Sequence, residues 1–208
     1  MAKERKKTVK QAQSAKKREA VYFPQTTRKS ISVTRSDIAT WNAAIKQAGG
    51  AQEPKRTKLM RLYDSIVLDS LLSSQIAGRK LQTVSAAFKL MNEAGKPDEE
   101  AMLRLASMQC YADLVNCILD AEYYGCSLVE LCINREGNPE AKLIQRENVV
   151  PDNGRFYPDA DGSKFIEYRT MREYGVWLLE FNSGNFGILN KAVQHVLMKR
   201  FAQKKKAA

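Results

Sequence analysis

Several short stretches of the chain carry residue types that could do chemistry. Asp159, Asp161 and Gly162 follow the acidic spacing that opens a calcium-binding loop, but the twelfth position counted from Asp159 is Thr170, where such a loop needs a bidentate carboxylate. That stretch reads as a surface turn. The run Ser183-Gly184-Asn185-Phe186-Gly187 suggests a phosphate-cradling loop, yet it lacks the Gly-Lys-Ser/Thr ending and places a bulky Phe186 between its glycines. A pliable loop before a helix accounts for it, with Asn185 as a candidate cap.

The single histidine, His195, lies four residues from both Lys191 and Lys199, so the three share one stripe of a helix. This stripe suits a solvated face, and it also suits a cationic face that meets DNA. Cys110, Cys117, Cys126 and Cys132 contain no C-x-x-C pair and lie far from His195 in sequence, which argues against zinc. Cys110 and Cys117 are seven apart and share an apolar helix face, as small hydrophobes in a reducing compartment do. No catalytic residue, metal ligand or cofactor-binding residue is assigned.

The elements that position these residues follow from periodicity. Ile38, Trp41, Ala44 and Ile45, with Ser36 as N-cap and Gly49-Gly50 as the stop, predict a small helix. After Pro54, the recurrence of Leu59, Leu62, Ile66, Leu68, Leu72 and Ile76 predicts one helix of about 20 residues, ended by Gly78. The β-branched and alternating positions over 80–91 predict a strand.

Asp98, Glu99 and Glu100 open the clearest helix of the chain, with Leu103, Ala106, Cys110, Leu114, Cys117, Ile118 and Ala121 on one stripe and Gly125 as its stop. Two strands around Gly137, Asn138 and Pro139 form a hairpin, and short strands fall near 164–170 and 176–182. A last helix carries Ile188, Leu189, Val193, Val196, Leu197 and Phe201. The order predicts an α+β fold, long helices packed on short antiparallel strands. Charged Asp69, Arg79 and Glu130 fall in or beside apolar segments, where a partner is needed, either an internal ion pair or a subunit contact.

With 208 residues and 44% hydrophobic content, the chain can bury a real core, and no run of about 18 apolar residues predicts a membrane span. Its net charge of +11 points to polyanionic partners without choosing among nucleic acid, acidic protein and membrane surface. The first 30 residues hold ten basic residues against two acidic ones, a local +8, and read as a disordered basic arm. A solvated tail and an arm that touches nucleic acid both fit. Lys3, Lys6, Lys7, Lys16, Lys17, Arg18, Lys191, Lys199 and Arg200 are the candidate nucleic-acid contacts.

Three blocks in register carry a family resemblance: residues 62–90, with Tyr63, Asp69, Ser73, Ser74, Gln75 and Arg79; residues 121–134, with Gly125 and Glu130; and residues 184–203, with Gly187, Lys199 and Phe201. Over roughly 55–203 the sequence resembles the portal proteins of tailed bacteriophages, of the Mu-like type. The resemblance implies a portal wing-like domain over 55–208, preceded by a flexible basic arm (1–30) and a short helix with linker (31–54).

It further implies a typically dodecameric ring at one capsid vertex, in the virion and, during assembly, in the bacterial host cytoplasm. Its partners would be further copies of itself, the terminase, connector proteins and double-stranded DNA, with no cofactor and no membrane. The matching residues would serve structure and assembly. On the same resemblance the final helix would continue into stem and clip sequence, so the domain reads as truncated there, and the apolar face of 188–201 is expected to pack on later chain or on neighbouring subunits. A small basic nucleic-acid-binding protein is the alternative reading.

Overall fold

The computed structural model describes residues 38–108 and 110–207, with side chains through 203. The basic arm, Ser36, and the lysines and arginine of 3–18 lie outside the described residues.

Six helices and two small antiparallel sheets form the described fold, which is α+β, the class that the order of elements predicts. The helices are α1 (Ile38–Ala48), α2 (Thr57–Val67), α3 (Ser70–Val84), α4 (Glu99–Ser107), α5 (Cys110–Tyr124) and α6 (Ile188–Ala207). The strands are β1 (Cys126–Ile133), β2 (Pro139–Leu143), β3 (Val149–Val150), β4 (Arg155–Phe156), β5 (Ile166–Glu167) and β6 (Leu178–Asn182).

Both sheets are antiparallel, ordered β2-β1-β6 and β3-β4-β5. Strand β1 is central, pairing Val129 with Leu143 on one side and with Leu179 on the other. Its first five residues are all buried, which is why it reads as a nearly continuous apolar run rather than an alternating one. The hairpin turns at Gly137 (φ +92°), where the Asn134 carboxamide oxygen accepts from the Glu136 and Asn138 amides.

Three expectations fail in an instructive way. The helix predicted over 55–77 is two helices, because the chain leaves helical geometry at Asp69 (φ −67°, ψ 120°), whose side chain then caps α3. The strand predicted over 80–91 is the continuation of α3 to Val84 followed by irregular chain, with one bridge between Met91 and Pro97. Gly78 is exposed and helical, so it weakens that helix without stopping it. Likewise the helix predicted over 98–124 is split, with Met108 extended between α4 and α5.

The main core joins Leu59, Met60, Leu62, Tyr63 and Ile66 of α2 to Ala44 and Ala48 of α1 and to Leu189, Val193, Val196 and Leu197 of α6. This corrects the expectation for the last helix. Its apolar face packs on α1 and α2 of its own chain, and Ile188, Met198 and Phe201 are what it leaves exposed. A second core holds Leu128, Ile144, Val149, Phe156, Tyr168 and Leu178 between the sheets.

Candidate functional site

Gly125 ends α5 and Gly187 precedes α6, and their backbones cross in direct contact. A Cβ on Gly187 would lie 2.3 Å from the Tyr123 carbonyl oxygen and 2.4 Å from the Gly125 nitrogen. A Cβ on Gly125 would meet the Asn185 carbonyl oxygen at 2.5 Å. Both residues have positive φ, +88° and +79°, so each is glycine for space and for conformation. Asn185 does not cap α6; its side-chain oxygen accepts from the Gly187 amide at 2.6 Å, which turns the loop inward on itself.

Tyr63 holds this crossing from α2. Its ring is fully buried, edge-on to Tyr124, and its hydroxyl donates to the Phe186 carbonyl at 2.7 Å. Burial pushes the Tyr63 phenol well above its ordinary pKa, so it stays a neutral donor. Beneath it, the buried Arg56 guanidinium faces the Phe186 ring (5.3 Å to its centroid) and pairs with Asp152 at 3.1 Å.

The other end of α6 grips the junction between α2 and α3. Lys199 Nζ donates to Asp69 Oδ2 at 2.7 Å, while Asp69 Oδ1 accepts from the Leu71 and Leu72 amides. Lys199's hydrogen bond, with the Leu72 and Leu71 amides, holds the Asp69 carboxyl below its ordinary value. Next door, Arg200 donates to the Ser65 carbonyl at 2.6 Å and to its hydroxyl at 3.2 Å. At the start of α6, the Trp41 indole donates to Asn190 at 2.8 Å.

The matched residues therefore fall into two sets. Tyr63, Asp69, Gly125, Glu130, Gly187 and Lys199 belong to the inner framework, with Glu130 buried in β1 opposite Lys142 and Leu178. Gln75, Arg79 and Phe201 are exposed, as is Ser74, while Ser73 is half-buried. Of the candidate DNA contacts, Lys199 and Arg200 are engaged within the chain, and Lys191 is exposed beside His195. The structure does not gather these three into one open cationic face.

Sequence reasoning missed Arg56, Ser65 and a partly buried ion cluster beside the second core. There Glu180 accepts from Arg169 at 2.6 and 2.9 Å and from the Tyr174 hydroxyl at 2.9 Å. Burial alone would raise the Glu180 carboxyl, but Arg169 and Tyr174 outweigh it and hold it below the usual range. The turn at 159–162 is occupied by the chain's own cations: Lys55 donates to the Gly162 carbonyl at 2.7 Å and Arg61 lies 3.5 Å from Asp161. Among the described residues no cluster of three or more His, Cys, Asp or Glu is placed to hold a metal, and no helix is long and apolar enough to cross a membrane. The four cysteines are buried and unbridged.

Close-packed glycines, latched helix ends and ion pairs at element junctions lock the elements of this fold to one another. The model of the family described as the portal protein of Mu bacteriophage matches residues 60–208, well over half of the chain, and the chain belongs to that family of phage structural proteins. No curated protein and no solved structure matches it.

Proposed function

We propose that the chain is a structural subunit of a phage portal, or the N-terminal part of one, that self-associates into a ring at a capsid vertex through which DNA is packaged and ejected. On this reading 55–208 is the portal-like domain, 31–54 supplies the helix that closes its core, and 1–30 is a basic arm. Terminase and connector proteins dock on the ring, and the protein resides in the virion after assembly in the host cytoplasm. It carries out no catalysis. Family membership supports this reading.

The observation that carries self-association is the stretch 70–108: it contains no buried residue, yet it exposes Leu71, Leu81, Phe88, Met91, Leu103 and Met108. Large exposed apolar surface concentrated on one segment marks a contact surface. Native mass by light scattering across a range of salt concentrations tests the proposal. A defined oligomer far above 23.5 kDa is the expected result, and a monomer at every concentration overturns it.

The reading as a basic nucleic-acid-binding protein rests on the +8 of the first 30 residues. It requires salt-dependent DNA affinity that drops when 1–30 are deleted. DNA affinity unchanged by that deletion removes it.

A further inference from the structure

Helix α4 has nine residues and buries none of them. A helix that short is marginal in water without tertiary packing, so something must cover it. Its exposed surface has two characters. The first turn is acidic, with Asp98 as N-cap followed by Glu99 and Glu100, and among the described residues Glu100 pairs with Arg104, one turn on. Beyond it, Leu103 is 71% and Met108 41% exposed.

The opposite combination exists elsewhere on the same chain. The outward side of α6 presents Ile188, Lys191, His195 and Met198 at steps of three, four and three, all exposed, while Leu189, Val193, Val196 and Leu197 face inward. That spacing makes one continuous stripe along the helix, apolar at both ends with Lys191 and His195 between. It matches an acidic and apolar partner in charge and in pattern.

We infer that the acidic first turn of α4, with Leu103 and Met108, docks on the Ile188–Lys191–His195–Met198 stripe of α6 of a second copy of this chain. The inference rests on the portal reading, whose ring is head-to-tail by geometry, and adds to it the specific contact. Two different patches meet, so the association is head-to-tail, and each copy offers one free patch at either end. Such a contact closes into a ring or runs on as a filament, but does not stop at a symmetric pair.

The test uses the full chain. In one variant Leu103→Cys and Met198→Cys are combined; in two controls each is made alone. The native cysteines are buried, so a short bismaleimide reacts at the added thiols. The double variant is expected to give a ladder of covalent dimers, trimers and higher species on a denaturing gel, and each single variant none. In parallel, Leu103→Asp is expected to lose the oligomer while keeping the melting transition, because the residue is exposed. Rising salt is expected to shift the same equilibrium toward monomer.

An oligomer in which the double variant gives no ladder overturns the inference and leaves the portal reading intact. A covalent dimer from Leu103→Cys alone overturns the head-to-tail polarity. A monomer at all concentrations overturns both readings.

Discussion

Lys199 Nζ lies 2.7 Å from Asp69 Oδ2 across 130 residues of sequence, and the same carboxylate caps α3 through its other oxygen. One side chain thus starts one helix and receives another. Replacing Asp69 by Ala removes the cap and is expected to cost about 1–2 kcal/mol. Asp69→Asn keeps an acceptor for the amides and should cost less. Lys199 is 40% exposed, so the ion pair itself contributes under about 1 kcal/mol. Urea unfolding of Asp69→Asn, Lys199→Ala and the double variant checks this; full additivity would show that the pair is not coupled.

Glycine substitutions are expected to split sharply by position. Gly125→Ala and Gly187→Ala each place a Cβ within 2.5 Å of backbone at a positive φ. The left-handed backbone alone costs about 1–2 kcal/mol, and the forced separation of two turns adds to it. Gly78→Ala, in a helix with nothing within 4 Å, is expected to stabilise by about 0.5–1 kcal/mol. Thermal melting of the three variants measures the contrast.

Removing one oxygen isolates the latch on the crossing. Tyr63→Phe keeps the buried ring and leaves the Phe186 carbonyl without its donor, at an expected cost of about 1–3 kcal/mol. Amide exchange near 185–188 is the local readout, and it should accelerate more than exchange in β2.

Acid is expected to loosen the fold through two carboxylates. Asp69 and Glu180 both sit below their ordinary values, so the unfolded chain binds protons more readily than the folded one. Their contribution is therefore full above the ordinary carboxylate range of about 4 and is lost as pH falls through and below it. Urea midpoints should drop between about pH 6 and about pH 3, and Glu180→Gln should be destabilised at neutral pH with a flatter profile below it.

Much of the fold was legible where a residue type had a conformational duty. Gly125 as a helix stop, Gly137 in the hairpin turn and the glycine-rich entry to α6 all hold their predicted places. The break at Asp69 was missed because Leu72 and Ile76 resume the helical spacing of Leu59, Leu62 and Ile66. Asp69 itself, an aspartate on that apolar stripe followed by Ser70, was the available signal. At 80–91 the β-branched Thr83 and Val84 misled, since a helix already under way needs a real stop, and Gly78 is not one.

The framework of the site was less legible. The pairing of Lys199 with Asp69, of Arg200 with Ser65 and of Arg169 with Glu180 depends on how separate elements meet, and no local pattern encodes that. Arg56 is the clearest case. It follows Lys55 in a stretch that reads as solvated charge, yet it is 2% exposed.

The contact between Gly125 and Gly187 also sets how the molecule carries load. Strands β1 and β6 lie side by side, and the turns joining them to α5 and α6 interlock at one point. A displacement of α6 is therefore felt at two places in the sheet, at β6 through the chain and at the start of β1 through the glycine contact, and the β1–β6 pairing joins the two.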